Sequence, residues 1–233
     1  MNNYYSGNYT APSIDERVSQ IMKRVYVKMF LGLLVTAFVA WGIASSQQAF
    51  LYYMVEHQWI YWGLLIVEIL LVLGISGSVR KMNPQLATGL FYLFSIVNGA
   101  ALSLIFVAYS LPAIFKTFLI TSGTFGAMSV YGYFTEKDLT KIGTFLYMAL
   151  WGLIIAIVVN IFWANTALEW IISFAGVIIF IGLTAWDTQQ IKRMAQSAPD
   201  EAVSSLATIG ALSLYLDFIN LFLYLLRIFG NRD

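Results

Sequence analysis

Cysteine is absent from this 233-residue chain and histidine occurs once. Disulfides, thiolate metal sites and Cys/His nucleophilic chemistry are thereby excluded, while the redox compartment stays undetermined. Charge is scarce as well: Asp, Glu, Lys and Arg make up 11% of the chain, against about 25% in ordinary soluble domains. Thirteen Lys and Arg against 12 Asp and Glu leave a net charge of +1, so there is no basic stripe and nucleic acid is not an expected partner. No HExxH run, phosphate-cradling glycine loop or nucleophile–base pair is present, so neither an enzyme nor a bound cofactor is expected. Proline is limited to Pro12, Pro84, Pro112 and Pro199, all outside the long apolar runs, and no run is broken by a missing N–H.

Apolar residues fill the space that charge leaves, at 60% of the chain. A crossing of the roughly 30 Å hydrocarbon core takes about 20 such residues, which gives room for about seven. Runs of that length occur at residues 27–46, 59–79, 86–109, 113–134, 142–163, 169–191 and 206–228. The expected fold is an all-α membrane protein, a seven-transmembrane-helix bundle over residues 21–233, preceded by a flexible cytoplasmic tail at 1–20. Lys23, Arg24 and Lys28 before the run Met29–Ala44 imitate a signal peptide, but the preceding tail is long for one and further spans follow. Placing the N-terminus inside puts ten of the 13 Lys and Arg on the cytoplasmic side. Lys116, Arg227 and Arg232 are the remainder; a re-entrant last segment would return the last two inside, and seven crossings is the reading taken. Small residues at Ser95, Gly99 and Ser103, and at Ser122 and Gly126, are spaced for close helix contact, within the chain or between copies; oligomeric state stays open.

Ionisable residues within hydrocarbon cost about 2.5–3.5 kcal/mol each on insertion scales and commonly mark ion paths or proton relays. Glu68 lies near the middle of the second run, Asp187 near the inner end of the sixth, Asp217 midway along the seventh, and Arg227 ten residues later; Arg80 closes the second run. At about 1.5 Å per residue, Glu68 sits about 18 Å outward of Arg80, and Arg227 about 15 Å outward of Asp217. Depth alone therefore predicts an inner Arg80–Asp217 contact and an outer Glu68–Arg227 ion pair, with long side chains bridging a mismatch in helical phase. Asp187 falls near the inner level, so two carboxyls and one guanidinium meet there. Two close carboxyls resist simultaneous ionisation and retain a proton between them; ionised, their oxygens are hard ligands suited to transient Ca²⁺ contact.

Blander roles compete with these. Asn98, Asn160 and Asn220 are available to satisfy an intramembrane aspartate. His57 reads as an ordinary interfacial residue, Trp59, Trp62, Trp163 and Trp170 as anchors at the membrane–water interface, and Glu136, Lys137, Asp138 and Lys141 as a solvated loop.

Two segments, GLTAWDTQQIK at Gly182–Lys192 and ALSLYLDFINLFLYLLRIFG at Ala211–Gly230, resemble the signature segments of the Bax inhibitor family, and FGAMSVYGYFTEKDL at Phe125–Leu139 resembles its bacterial branch. The resemblance implies a bundle whose last helix is enclosed by two three-helix layers, in a bacterial inner membrane, with a pH-sensitive Ca²⁺ leak governed by an aspartate pair. Asp187 and Asp217 match that pair, Arg80 matches the latch arginine to within about one residue, and Glu68 and Arg227 fall where a second acidic–basic contact is placed. The lipid bilayer, Ca²⁺ and protons are the partners expected. Two other functions stay open: a membrane interaction protein that restrains a membrane-protein partner in quality control or cell-death responses without transport, and a proton-coupled cation exchanger.

Overall fold

The computed structural model describes residues 13–46, 48–78, 84–199 and 202–230. Every regular element among them is helical: α1 (Ile14–Ser46), α2 (Gln48–Glu56), α3 (Gln58–Ser78), α4 (Pro84–Leu102), α5 (Ile105–Ala108), α6 (Leu111–Phe134), α7 (Thr140–Trp163), α8 (Thr166–Ser197) and α9 (Val203–Phe229). Six stretches are long and apolar enough to cross a membrane: α1, α4 with α5, α6, α7, α8 and α9. In α3 the apolar stretch is the shorter Trp62–Ser76.

The expected tail at 1–20 is too long, because α1 already starts at Ile14. Ser13 and Glu16 explain the early start: the Glu16 amide donates to Ser13 Oγ and the Ser13 amide donates to Glu16 Oε2, at 3.2 and 3.0 Å, a reciprocal box that satisfies two donors of the first turn. One turn later Val18 is buried. Residues 1–12 of that tail lie outside the described residues. Two further differences concern the connection after α1 and the third apolar run. A short helix, α2, occupies the first connection, and the third apolar run is interrupted at Ser103–Leu104, where Ser103 Oγ bonds the Ala100 carbonyl at 2.6 Å.

Helix α4 packs on both α1 and α3, α8 packs on both α6 and α7, and α9 touches members of both groups. Small residues set the first group. A Cβ on Gly99 of α4 would lie 2.8 Å from the Thr36 carbonyl oxygen of α1, so the Ser95–Gly99–Ser103 stripe is a contact within the chain. In the second group α7 passes to α8 through Ala164, at φ 45°, and Asn165, whose Oδ1 caps Leu168 N at 3.1 Å. Most of α9 is buried, whereas α7 turns Phe145, Trp151, Ile155 and Phe162 outward, the inverted pattern of a bundle whose solvent is lipid. Trp59, Trp62, Trp163 and Trp170 are all exposed.

One buried chain of hydrogen bonds ties three of the helices together. Thr36 Oγ1 lies 2.9 Å from the Ser95 carbonyl oxygen and 2.5 Å from the Tyr215 hydroxyl, which donates to Asn98 Oδ1 at 2.9 Å. Tyr215 is fully buried between the Phe91 and Phe94 rings. Tyr215→Phe is expected to lower stability by about 1–2 kcal/mol, because it strands two buried polar partners while keeping the ring contacts. A thermal-unfolding series in detergent, with Tyr224→Phe as the comparison, measures this.

Candidate functional site

Asp187 on α8 and Asp217 on α9 face one another across the largest interhelical contact of the bundle. They are 8% and 4% exposed, and each carboxyl lies within electrostatic reach of the other. Two ionised carboxylates this close and this buried repel each other, which favours the state in which one of the two carries a proton. No N–H or O–H group is placed on Asp217 Oδ2, and among the described residues no Lys or Arg forms an ion pair with either aspartate. Tyr147 of α7 lies within electrostatic reach of both carboxyls, its ring edge-on to Trp186 with centroids 5.3 Å apart. Arg80 lies outside the described residues.

The expected Glu68–Arg227 ion pair does not form. Glu68 Oε1 instead accepts from Asn98 Nδ2 at 3.0 Å, extending the Tyr215 chain to a third partner helix. It lines a cavity of about 330 Å³ with Asn98 and Asn220. Arg227 is exposed, over the Tyr224 ring at 5.8 Å, in a separate cavity with Glu169 and Trp170. Glu68 is thus level with Asn220, seven residues or about 10 Å short of Arg227 along α9, a gap that side-chain length does not close. The asparagines named as candidate aspartate partners are engaged elsewhere: Asn98 with Glu68 and Tyr215, Asn160 Oδ1 with Asn165 N, and Asn220 Nδ2 with the Leu216 carbonyl.

Similarity to known proteins extends over nearly the whole chain, this pair of helices included. A family model described as inhibitor of apoptosis-promoting Bax1 matches residues 18–233. The chain belongs to the Bax inhibitor family. It is 46% identical over 214 residues to the inner membrane protein YbhL of Escherichia coli, covering 91% of each chain. An uncharacterised protein of Borreliella burgdorferi is 43% identical over 92% of this chain and 93% of its own. The uncharacterised protein RP147 of Rickettsia prowazekii is 40% identical over 94% and 93%. Membership with this coverage makes the chain a multi-pass integral membrane protein.

Within this Bax inhibitor family member, the segment around Asp187 does more than carry a carboxyl. Gln189, two residues on, accepts from Leu139 N at 2.9 Å and donates to the Lys137 carbonyl at 2.8 Å, clamping the α6–α7 loop. Lys192 donates to the Tyr133 carbonyl at 2.8 Å, and Arg193 reaches Asp138 at 2.9 Å. Asp138 accepts from the Thr140 hydroxyl and amide as well as Arg193, which together hold it down to about 2. It therefore stays ionised at neutral pH; the stabilisation this brings is present above the ordinary carboxylate range and fades as pH falls toward 2. Lys28, read from sequence only as an orientation charge, donates to Thr88 and Thr208 at 2.8 and 2.7 Å and joins α1 to α4 and α9. Sequence spacing contained no signal for Lys28 or Gln189, since both act across more than 40 residues.

No three His, Asp or Glu side chains converge on a metal-sized site among the described residues. Ca²⁺ takes six to eight oxygen ligands, so two carboxyls furnish at most a passing contact rather than a resident site.

Proposed function

We propose that this protein is a pH-sensitive leak for cations, chiefly Ca²⁺, across the inner membrane, closed when Asp187 and Asp217 hold α8 against α9. The reading has seven crossings with the N-terminus cytoplasmic, α3 included, and α9 enclosed between the layers α1/α3/α4 and α6/α7/α8. The single observation that supports it most is the burial of two carboxyls within reach of each other on neighbouring helices, an arrangement that favours one proton shared between them. Removing that proton sets two carboxylates against each other in a low-dielectric site, and adding a second removes the charge an arginine at position 80 would hold. Either change alters the α8–α9 contact. The Glu68–Asn98–Asn220 cavity supports an outer vestibule leading toward the pair, with α9 as the wall that moves.

Ca²⁺ uptake into liposomes containing only the purified protein tests this. Downhill flux that differs between pH 6 and pH 8 is the expected result. Absence of flux at both values overturns it in favour of the interaction reading, and uphill movement driven by a proton gradient overturns it in favour of an exchanger.

A further inference from the structure

Between α1 and α6 the bundle is open. Both helices pack on α8 and α9, but a cavity of about 610 Å³ separates them at the N-terminal end of α1 and the C-terminal end of α6. Its walls are Ser19, Lys23 and Tyr26 on one side and Phe125, Gly126 and Ser129 on the other. Gly126 belongs to the small-residue stripe that sequence spacing assigned to close helix packing, yet a Cβ there meets nothing within 4 Å. The stripe faces open space. Ser129 is 6% exposed and its hydroxyl has no hydrogen-bond partner, a buried donor left unsatisfied. Lys23 is exposed at the rim and makes no hydrogen bond or ion pair among the described residues. Val130 and Phe134 beside it are 58% and 72% exposed, so this seam is wetted by the bilayer.

We propose that this seam binds an anionic glycerophospholipid, its phosphate against Lys23, an ester carbonyl accepting from Ser129 Oγ, and an acyl chain along Phe125 in the space beside Gly126. The occupant follows from the chemistry of the walls. The seam offers apolar wall at Phe125, Val130 and Phe134, one cation at its rim, Lys23, and one buried donor, Ser129. A phosphate supplies the charge complement, an ester the missing acceptor, and an acyl chain the bulk that the gap lacks. The assignment holds whether or not the aspartate pair governs a flux.

Native mass spectrometry of the delipidated full chain, titrated with phosphatidylglycerol or phosphatidylcholine of equal chain length, tests it. Phosphatidylglycerol is expected to bind the tighter. Lys23→Gln should weaken it roughly fivefold, as one interfacial Lys is worth about that much, while Lys141→Gln on α7 leaves it unchanged. Ser129→Ala should weaken both lipids without lowering the melting temperature of the lipid-free protein. Gly126→Leu, which adds bulk into open space and so preserves the fold, should abolish retention. Equal binding of the two lipids, or phosphatidylglycerol retention that survives Gly126→Leu, would overturn the proposal.

Discussion

With Asn at both 187 and 217, Ca²⁺ flux through the purified protein is expected to be the same at pH 6 and pH 8. The two amides pair through one N–H donor and one carbonyl acceptor at every pH, so the α8–α9 contact survives and only its ability to titrate is removed. The size of the carboxyamide matches that of the carboxyl, which keeps the packing around Tyr147 and Trp186 intact. Asp217→Asn alone sharpens the test, because an amide at 217 donates to Asp187 whether or not protons are scarce; a closed, low-flux protein at both pH values follows. Asp138→Asn is the control. Asp138 is held at about 2 by Thr140 and Arg193, stays ionised across the whole interval, and should leave the pH response in place. A double variant that keeps the full pH response would show that the sensor lies elsewhere.

Gly132→Ala should lower stability by about 1–3 kcal/mol, the range seen when a packed interior is forced to accept an extra methyl. The added Cβ would run into the backbone carbonyl of Ala185, and backbone in the middle of a helix has no rotamer by which to step aside. Helices α6 and α8 must separate, and the part of α8 displaced is the turn that presents Asp187. Gly126→Ala, on the same helix with nothing within 4 Å of its Cβ, should be neutral or slightly stabilising, since Ala is the better helix former. Thermal midpoints in detergent distinguish the two. Equal midpoints would mean that α6 and α8 are not held at the separation described.

The helices themselves were legible in the apolar runs, because about 20 predominantly apolar residues in succession have few alternatives. Their ends were less so: the Ser13–Glu16 box that starts α1 is a four-residue signal, passed over because the tail around it is polar. The aspartates were legible by type and depth, a charge in hydrocarbon being conspicuous. Depth failed for Glu68 and Arg227, since level along the membrane follows from counting residues only if both helices start their count at the same height. Neither phase nor offset is written in spacing. Tyr215 was illegible for another reason. A tyrosine in an aromatic-rich apolar helix looks like its neighbours, and only the fold shows that its hydroxyl joins Thr36 to Asn98.

That hydroxyl, with the helix carrying it, has a bearing on how the protein is made. Of the described helices α9 leaves the ribosome last, although α1, α3, α4, α6 and α8 all pack on it. At ~5–20 residues per second, roughly 10–30 s separate the completion of α1 from the start of α9. By the end of that interval Thr36, then Asn98 and last of all Asp187 have been synthesised while their partners Tyr215 and Asp217 do not yet exist. The nascent bundle must pass through a stage with a vacant centre and unpaired polar groups, in which insertion factors, lipids or membrane proteases meet it before its own final helix does.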